Sequence, residues 1–575
     1  MTSEHVTCAS RGKILISGKV SGDILICSEG VSFWGGVDSN TGQIIDTHHS
    51  QYGQLVAGNI VMMPSSRGSC SGSGVLLALA LANKAPAALI FSEPEEVLSL
   101  GALVASRIFN RTVPVIRLNK TAYASLANAT SATITDNSIS SETLNCTLEP
   151  VQIDDVNINE NDEMFLAGEA GEAAKIAMEI ICLMAAANDT KALINISKGH
   201  IDGCILAHSA NLIFAEKLAD IGAEIKVPTT INAISVDREN WLSQNIPHDF
   251  GEQASRLADA YVRMGARPVF TCAPYLLEDP PEFGEIIGWS ESNAVIFANS
   301  ILGARTLKHP DYLDLFIAMT GRAPASGVYA DAGRQPHSIL SVTCPSTQPD
   351  DVFWPVLGWL AGTLSPNRIP VITGLEALSP TQDDLKSVCA AFGTTSGAAM
   401  LHISGHTPEA DLPVAEGAIT HNIDISDLQQ AWHSLNQASL PVDLIAIGSP
   451  HASFSEVKRI QRFFRGRPCH PTITMIITVG RDTLKMLIKD GAHDVLTQSG
   501  VKIIPDICWC SIKEPVLPVK ARSIMTNSGK YAHYAYALSG RHARLSALRD
   551  CVETAVTGVT QTAVPAWLRN QANAY

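Results

Sequence analysis

The sequence has no run of basic residues, and its 41 Lys and Arg face 56 Asp and Glu for a formal net charge of −15. That balance leaves no electrostatic footprint for a phosphate backbone, so general nucleic-acid binding is not expected. Apolar runs of membrane-spanning length are missing too, and neither the polar Met1 to Ser10 stretch nor the short Lys13-Ile14-Leu15-Ile16 run resembles a signal peptide. A soluble, cytoplasmic chain is expected, with no membrane partner. The thirteen cysteines are odd in number and lack a disulfide-like rhythm. In a reducing compartment that leaves packing thiols, redox thiols or metal ligands. Charged residues make up only 17% of the chain, with Gly and Ala common throughout, which suits a metabolic enzyme whose elements are buried on both faces. Length alone allows about four domains.

What is present is organised around Pro64-Ser65-Ser66-Arg67-Gly68-Ser69-Cys70-Ser71-Gly72-Ser73-Gly74, five hydroxyls and three glycines directly ahead of the apolar run Val75 to Ala82. Small residues before such a run read as a loop entering a buried helix whose unpaired N–H groups face the loop. That end attracts anions and can lower the pKa of a hydroxyl. The residues alone leave open an ordinary N-cap or a Ser/Gly linker, although the run is too apolar to lie in water. No Gly-Lys-Ser/Thr follows the stretch and no Gly-x-Ser-x-Gly runs through it, which excludes the phosphate loop and the hydrolase nucleophile elbow.

From Lys13 to about Val61, Ile14 to Ile16, Ile24 to Ile26, Val31 to Trp34 and Gln43 to Ile45 read as strands divided by glycine turns. After the serine loop, Ala87 to Phe91 and Val113 to Ile116 read as buried parallel strands around a helix over Val97 to Phe109, an α/β layer. A Ser/Thr/Asn/Ala-rich stretch from Ala122 to Glu149 marks a domain boundary. A helix capped by Asn161 or Asp162 is expected to run through Met184. Strand-like runs then alternate with helices: Ala192 to Ile196, Glu224 to Val227, Pro268 to Cys272, Val371 to Thr373, Ala398 to Ile403, Leu444 to Ile447, Ile473 to Val479 and Val501 to Pro505. The intervening helices include Ser209 to Ala219, Asp383 to Phe392 and Phe454 to Phe464. Repeated β-then-α order argues for open parallel sheets with ligand sites at the carboxyl ends of strands. Those exits are rich in Cys, His, Thr and Asn, as in Ser197 to Asp202, Pro228 to Asn232, Cys272 to Tyr275, Gly405 to Glu409, Gly448 to His451 and Asp506 to Cys510. Six such exits suggest one shared cleft, although each alone is more readily an ordinary turn or cap.

These residues resemble the aconitase X family across essentially the whole chain. The likeness is carried by Val31-Ser-Phe-Trp-Gly-Gly-Val-Asp-Ser-Asn-Thr-Gly, the Arg67 to Ser73 loop, Gly168-Glu-Ala-Gly, Gly199-His-Ile-Asp, Val227-Pro-Thr-Thr-Ile-Asn, Thr271-Cys-Ala-Pro-Tyr, the run Trp289 to Arg305, Gly405-His-Thr-Pro-Glu-Ala and Met525 to Tyr534. The resemblance implies an aconitase-like α/β fold. A small swivelling β/α domain, residues 1–145, would close over a large multi-subdomain part with parallel sheets, residues 150–575, with the active site between them. The two parts are separate subunits in some members and fused here. Fused members dehydrate cis-3-hydroxy-L-proline in hydroxyproline catabolism, giving Δ1-pyrroline-2-carboxylate, whereas two-subunit archaeal members dehydrate mevalonate 5-phosphate. Both are hydro-lyases carrying an iron–sulfur cluster, and the resemblance implies the first activity, on a small carboxylate substrate.

Dehydration beside a carboxylate needs a base for the α-proton, an acid or Lewis acid for the departing hydroxyl, and donors for the carboxylate as charge builds on it. Ser71 is the expected base, with Ser69 its rival, acting as an alkoxide stabilised by the helix end and Arg67. Cys272 and Cys508 match the family's cluster ligands. Relatives carry Gly-Cys-Pro-His where this chain has Gly448-Ser449-Pro450-His451, so the third ligand is Cys510, Ser449 or a nearby His, or the cluster is the smaller two-iron type. Arg67, Ser69, His200, Thr229, Thr230, Asn232 and Lys530 stand at matched motifs as substrate donors, and Glu291 and Asn293 stand behind them. Cys70 and Cys344 are weaker ligand candidates. Two other readings remain at this level: mevalonate 5-phosphate dehydration, for which no Arg/Lys cluster is evident near the motifs, and a non-catalytic binding protein on the same fold.

Overall fold

Short apolar runs between glycine turns build the first sheet. It comprises β1 (Gly12–Ile16), β2 (Val20–Ile26), β3 (Ile60–Met63), β4 (Ala88–Phe91), β5 (Val115–Leu118), β6 (Ser131–Ile134), β7 (Ser138–Ser140), β8 (Asn145–Thr147) and β9 (Glu149–Pro150), in the order β8-β7-β6-β2-β3-β4-β5-β1-β9. The structure is a computed structural model and describes residues 11 to 569. Strands β2 to β5 run parallel; helices α1 (Gly72–Leu81) and α2 (Val97–Phe109) carry the chain back from β3 to β4 and from β4 to β5, and the long connection from Ile26 to Ile60 does so from β2 to β3. Ile60, Met62, Ile90 and Ile116 are fully buried on this sheet, each stabilising by roughly 1.5–3 kcal/mol.

Some strands expected near the N-terminus are not formed. Val31 to Trp34 runs into a helical turn at Phe33–Gly36, and Gln43 and Ile44 make only isolated bridges. Gly35 and Gly42, both at φ +73, turn the chain before a ladder can extend. The helix expected from Asn161 or Asp162 to Met184 is instead two, α3 (Glu160–Ala167) and α4 (Glu172–Ala187). Asn159 caps the first by accepting from the Asp162 N–H, and Gly168, left-handed at φ +81, ends it.

The described residues form two compact units. One holds the residues up to Thr229 with Arg263–Gly265 and His309–Ser326, and the other holds Thr230–Val262, Ala266–Lys308 and the residues from Gly327 onward. In the first unit, Leu193–Asn195 pairs antiparallel with Arg322–Pro324, so this expected strand is not part of a parallel sheet. Beside it the Arg322 guanidinium is 2.7 Å from the fully buried Asp162 carboxylate.

Two parallel sheets build the second unit. The first is β10 (Ser338–Val342), β11 (Pro370–Thr373), β12 (His402–Ile403) and β13 (Ile419–Ile423), ordered β12-β11-β10-β13. The other is β14 (Leu444–Ile447), β15 (Thr474–Val479), β16 (Val501–Pro505), β17 (Ile524–Thr526) and β18 (Ala543–Leu545), ordered β16-β15-β14-β17-β18. The chain leaves β14 toward β15 and β16 and later returns to its other edge with β17, so a topological switch point lies between β14 and β17, where open α/β sheets bind ligands. The segments leaving those two strands are Gly448 to His451 and Asn527 to Lys530, which leads into helix α5 (Gly529–Ser539). Glu224 to Val227 and Pro268 to Cys272 are irregular rather than strands. Pro228 and Pro268 explain this, since each lacks a ladder N–H and restricts the residue before it.

Candidate active site

In the first unit the serine loop closes onto the start of α1. Ser71 occupies the N-cap position but makes no capping bond with its side chain. Its hydroxyl oxygen instead accepts from Ser69 Oγ at 3.4 Å, and its N–H donates to Ser69 Oγ at 3.3 Å. The other hydroxyls are engaged elsewhere: Ser65 donates to the Pro94 carbonyl, Ser66 to Glu95 at 2.5 Å, and Ser73 to the Val97 carbonyl at 2.8 Å. Gly68 permits the loop, being left-handed at φ +90 with Ser32 where a Cβ would stand. Arg67 is held by Glu29 at 2.8 Å and Asp46 at 3.1 Å. Because α1 is buried over nearly its whole length, its end acts where water screens little.

Cys70 Sγ lies 3.8 Å from Asp202 Oδ2. One ligand atom each from Cys70, Asp202 and Asp311 falls within 4.8 Å of the others. Asp202 stood inside the Gly199-His-Ile-Asp motif, but nothing around Asp311 in the sequence announces it. His200 is fully buried, and Thr229 donates to the Val227 carbonyl at 2.8 Å.

In the second unit three thiols lie in a row. Cys272 and Cys508 are buried with sulfurs 3.6 Å apart and share an apolar cluster with Ala233, against which Cys510 packs. Cys508 is the middle member, hydrogen-bonded to both neighbours. All three are free cysteines. The hydrogen bond with Cys272, then burial, push the Cys508 thiol up, and the bond with Cys508, then burial, do the same to Cys510. Thiols so placed ionise only against a cation. Two thiolates on one tetrahedral ion with bonds of about 2.3 Å lie roughly 3.8 Å apart, close to the spacing found here. Adjacent, unbonded, soft donors fit an iron–sulfur cluster, whereas the mixed Cys70, Asp202 and Asp311 set does not.

A buried ion pair adjoins the thiols. Lys530, in the first turn of α5, is 2.7 Å from Glu291. Asn293 Nδ2 donates to Glu291 at 2.6 Å and to the Cys272 carbonyl at 3.0 Å, Asn232 donates to Glu291 at 3.3 Å, and Tyr275 donates to Asn293 at 2.9 Å. Burial pushes the Glu291 carboxyl up, but the Lys530 ammonium and the two amides outweigh it and hold it down at about 2. Burial opposes the charge of Lys530 as well, but Glu291 together with the Cys510, Cys508 and Cys272 sulfurs outweighs it and holds the ammonium well above its usual range. The Ser449 side chain is buried with no hydrogen-bond partner, while the Ser528 hydroxyl donates to its carbonyl. Next to it His451 is completely buried, which holds the imidazole down at about 4.

Of the residues expected from sequence, the structure thus groups Arg67, Ser69, Ser71, His200 and Thr229 in the first unit, and Thr230, Asn232, Cys272, Cys508, Cys510 and Lys530 in the second. No described helix is long and apolar enough to cross a membrane.

Comparison with known proteins agrees over the length of the chain. Residues 9–142 match the aconitase X swivel domain, 155–332 the aconitase X first domain, 336–433 the second and 442–557 the third. The chain is 42% identical to the cis-3-hydroxy-L-proline dehydratase of Hypocrea jecorina, over 97% of each protein. It is 43% identical to the enzyme of that name from Pseudomonas aeruginosa, over 97% of this chain and 98% of that one. The phosphomevalonate dehydratase large subunit of Thermococcus kodakarensis is 32% identical over 66% of this chain and 94% of its own. The crystal structure of Thermococcus kodakaraensis aconitase X in its holo form superposes with a TM-score of 0.63 at 31% identity, covering 70% of this chain and all of that one. Swivel and large parts are joined here in one polypeptide. With four consecutive domains matched and relatives alike from end to end, the chain belongs to the aconitase X family.

Proposed function

We propose that this protein is a hydro-lyase that removes water from cis-3-hydroxy-L-proline to give Δ1-pyrroline-2-carboxylate. The observation that carries the substrate is the likeness, over nearly whole chains, to two proteins named for that dehydration. Residues 1–145 serve as the swivelling small domain and residues 150–575 as the large one. The free thiols suit a reducing compartment, the cytoplasm.

Ser71 takes the α-proton. Its oxygen makes no capping bond, accepts from Ser69, and stands at the positive end of a buried helix, so the anion it must become has a donor and a favourable field. Cys272, Cys508 and Cys510 hold the cluster, of the two-iron type. When bound, it supplies the Lewis acidity that the departing hydroxyl needs. Asn293 holds the Cys272 turn through the carbonyl of that residue, and Lys530 carries positive charge toward the thiols. Arg67, Ser69, His200, Thr229, Thr230, Asn232 and Lys530 are the proposed substrate donors.

Mevalonate 5-phosphate is the weaker reading. The likeness to the phosphomevalonate dehydratase large subunit is 32% over 66% of this chain, against 42% and 43% over 97% for the two proteins named for hydroxyproline dehydration. The deciding experiment is anaerobic purification, a visible absorption spectrum, and assay with each substrate. A coloured protein forming a cyclic imine from cis-3-hydroxy-L-proline is expected; a coloured protein active only on mevalonate 5-phosphate would overturn the substrate.

A further inference from the structure

His451 touches both thiol-bearing turns. Its ring Nε2 is 2.8 Å from the Ile507 carbonyl, one residue before Cys508. Its ring Nδ1 is 3.0 Å from the Thr271 hydroxyl, one residue before Cys272. A carbonyl only accepts, so Nε2 carries the ring proton, and the neutral ring's Nδ1 accepts from Thr271. The Thr271 oxygen also accepts from the Ala273 N–H at 3.2 Å, which ties the residues on both sides of Cys272 to the same ring. The His451 backbone N–H points at the Cys272 sulfur, 3.3 Å away, and its carbonyl accepts from Lys386 at 3.4 Å. Lys386 is itself fixed by Glu456 at 2.6 Å and Asp383 at 3.2 Å.

We propose that His451 is a positioning residue that sets the spacing of the Cys272 and Cys508 sulfurs before any metal arrives, and that it is not a ligand. Both ring nitrogens are engaged, one donating and one accepting, so neither has a lone pair free for iron. The imidazole acts as a rigid spacer between residues 271 and 507, and the peptide N–H adds a fixed partial positive charge at the sulfur of Cys272. Neighbours of this kind typically alter metal affinity 10- to 100-fold when removed, through the orientation of the ligands. The inference rests on the reading that the thiols hold the cluster, but its geometric half can be tested on metal-free protein.

The experiment compares wild type, His451→Ala, His451→Gln, Thr271→Val and the His451→Ala/Thr271→Val double variant. In anaerobically loaded protein, the rate of iron loss to a chelator should rise at least about tenfold in His451→Ala. It should be partly restored in His451→Gln, whose amide can still donate to the Ile507 carbonyl. Pulsed EPR of reduced wild type should show no coupling from a ligated histidine nitrogen. In chelator-treated protein, the melting-temperature loss of the double variant should be less than the sum of the two single losses, since both remove one connection. Unchanged iron retention in His451→Ala, a ligand-strength nitrogen coupling in wild type, or strictly additive losses in the metal-free cycle would each overturn the proposal. If wild type holds no iron at all, the cluster reading fails, and the metal-free cycle still decides whether His451 is the spacer.

Discussion

The serine loop, proposed to bear the base, and the thiol row, proposed to hold the cluster, surround their reactive atoms in opposite ways. Around the serine loop, the fixed charges belong to partly exposed ion pairs, with Arg67 41% exposed and Glu29 42%. Ser71 therefore depends on short-range features, the Ser69 donor and the end of α1. At the thiols, Cys272 is 1% and Cys508 3% exposed, and the nearby charges of Lys530 and Glu291 are 11% and 13% exposed. In such dry surroundings an unmatched charge is costly, so each is matched, and the sulfurs are placed by neutral hydrogen bonds. With the proposed roles, the difference predicts that a substitution at the loop changes chemistry more than stability, whereas one at the thiols changes stability and metal content together.

The largest expected effect breaks the thiol side. Cys508→Ala removes the middle sulfur, and iron content and turnover should both fall to background. Cys510→Ala should do the same, whereas Ser449→Ala should keep its iron, because thiolates are the usual cluster ligands and Cys510 already packs against Cys272 and Cys508. Iron analysis across the three variants checks which residue is the third ligand. Next is Ser71→Ala. A lost general base lowers kcat by roughly 10²–10⁴-fold, with the visible spectrum and melting temperature unchanged. If kcat survives in Ser71→Ala and falls in Ser69→Ala, the two serines exchange roles.

How much of this was legible depends on range along the chain. The helix opening after the serine loop, the parallel order of the second unit's sheets, and Cys508 beyond the strand that ends at Pro505 follow from local composition and periodicity. The apolar run from Pro268 to Cys272 has the composition of a strand, yet Pro268 offers no ladder N–H and the segment stays irregular. The Lys530–Glu291 pair joins residues 239 apart, and Arg67 meets acids 38 and 21 residues away. Nothing in a single sequence pairs one acid among 56 with one base. His451 was visible as a residue of a motif, but the use of both its nitrogens appears only when residues 271 and 507 are brought to it.

The ion pair offers a middle-sized test. Glu291→Gln leaves the Lys530 charge buried without its partner, which typically costs about 3 kcal/mol or more. The sign of the pH dependence follows from the depressed carboxyl. Its folded value of about 2 lies below the ordinary 4.5, so the unfolded chain binds the proton more readily. The stabilisation is complete above pH 4.5 and disappears as pH falls toward 2. The gap between wild type and Glu291→Gln, measured by urea unfolding of metal-free protein, should therefore be full at neutral pH and narrow over that window. A gap independent of pH would mean that Glu291 acts through packing alone.

The smallest effect is expected at Arg67. Its two ion pairs are partly exposed, and such pairs are worth about 0–1 kcal/mol each in most measurements, because water screens them and two long side chains must be held still. Arg67→Ala should therefore lower the melting temperature by no more than a few degrees. Activity separates its two roles. If the guanidinium stays with Glu29 and Asp46 during turnover, kcat and KM should each change less than about threefold, and Arg67→Lys should be indistinguishable from wild type. If it leaves them to grip the substrate carboxylate bidentately, KM should rise at least about tenfold in Arg67→Ala, and Arg67→Lys, which cannot form the fork, should not restore it. The second outcome would show that the exposure of this loop is functional, because only a weakly held arginine can change partners at small cost.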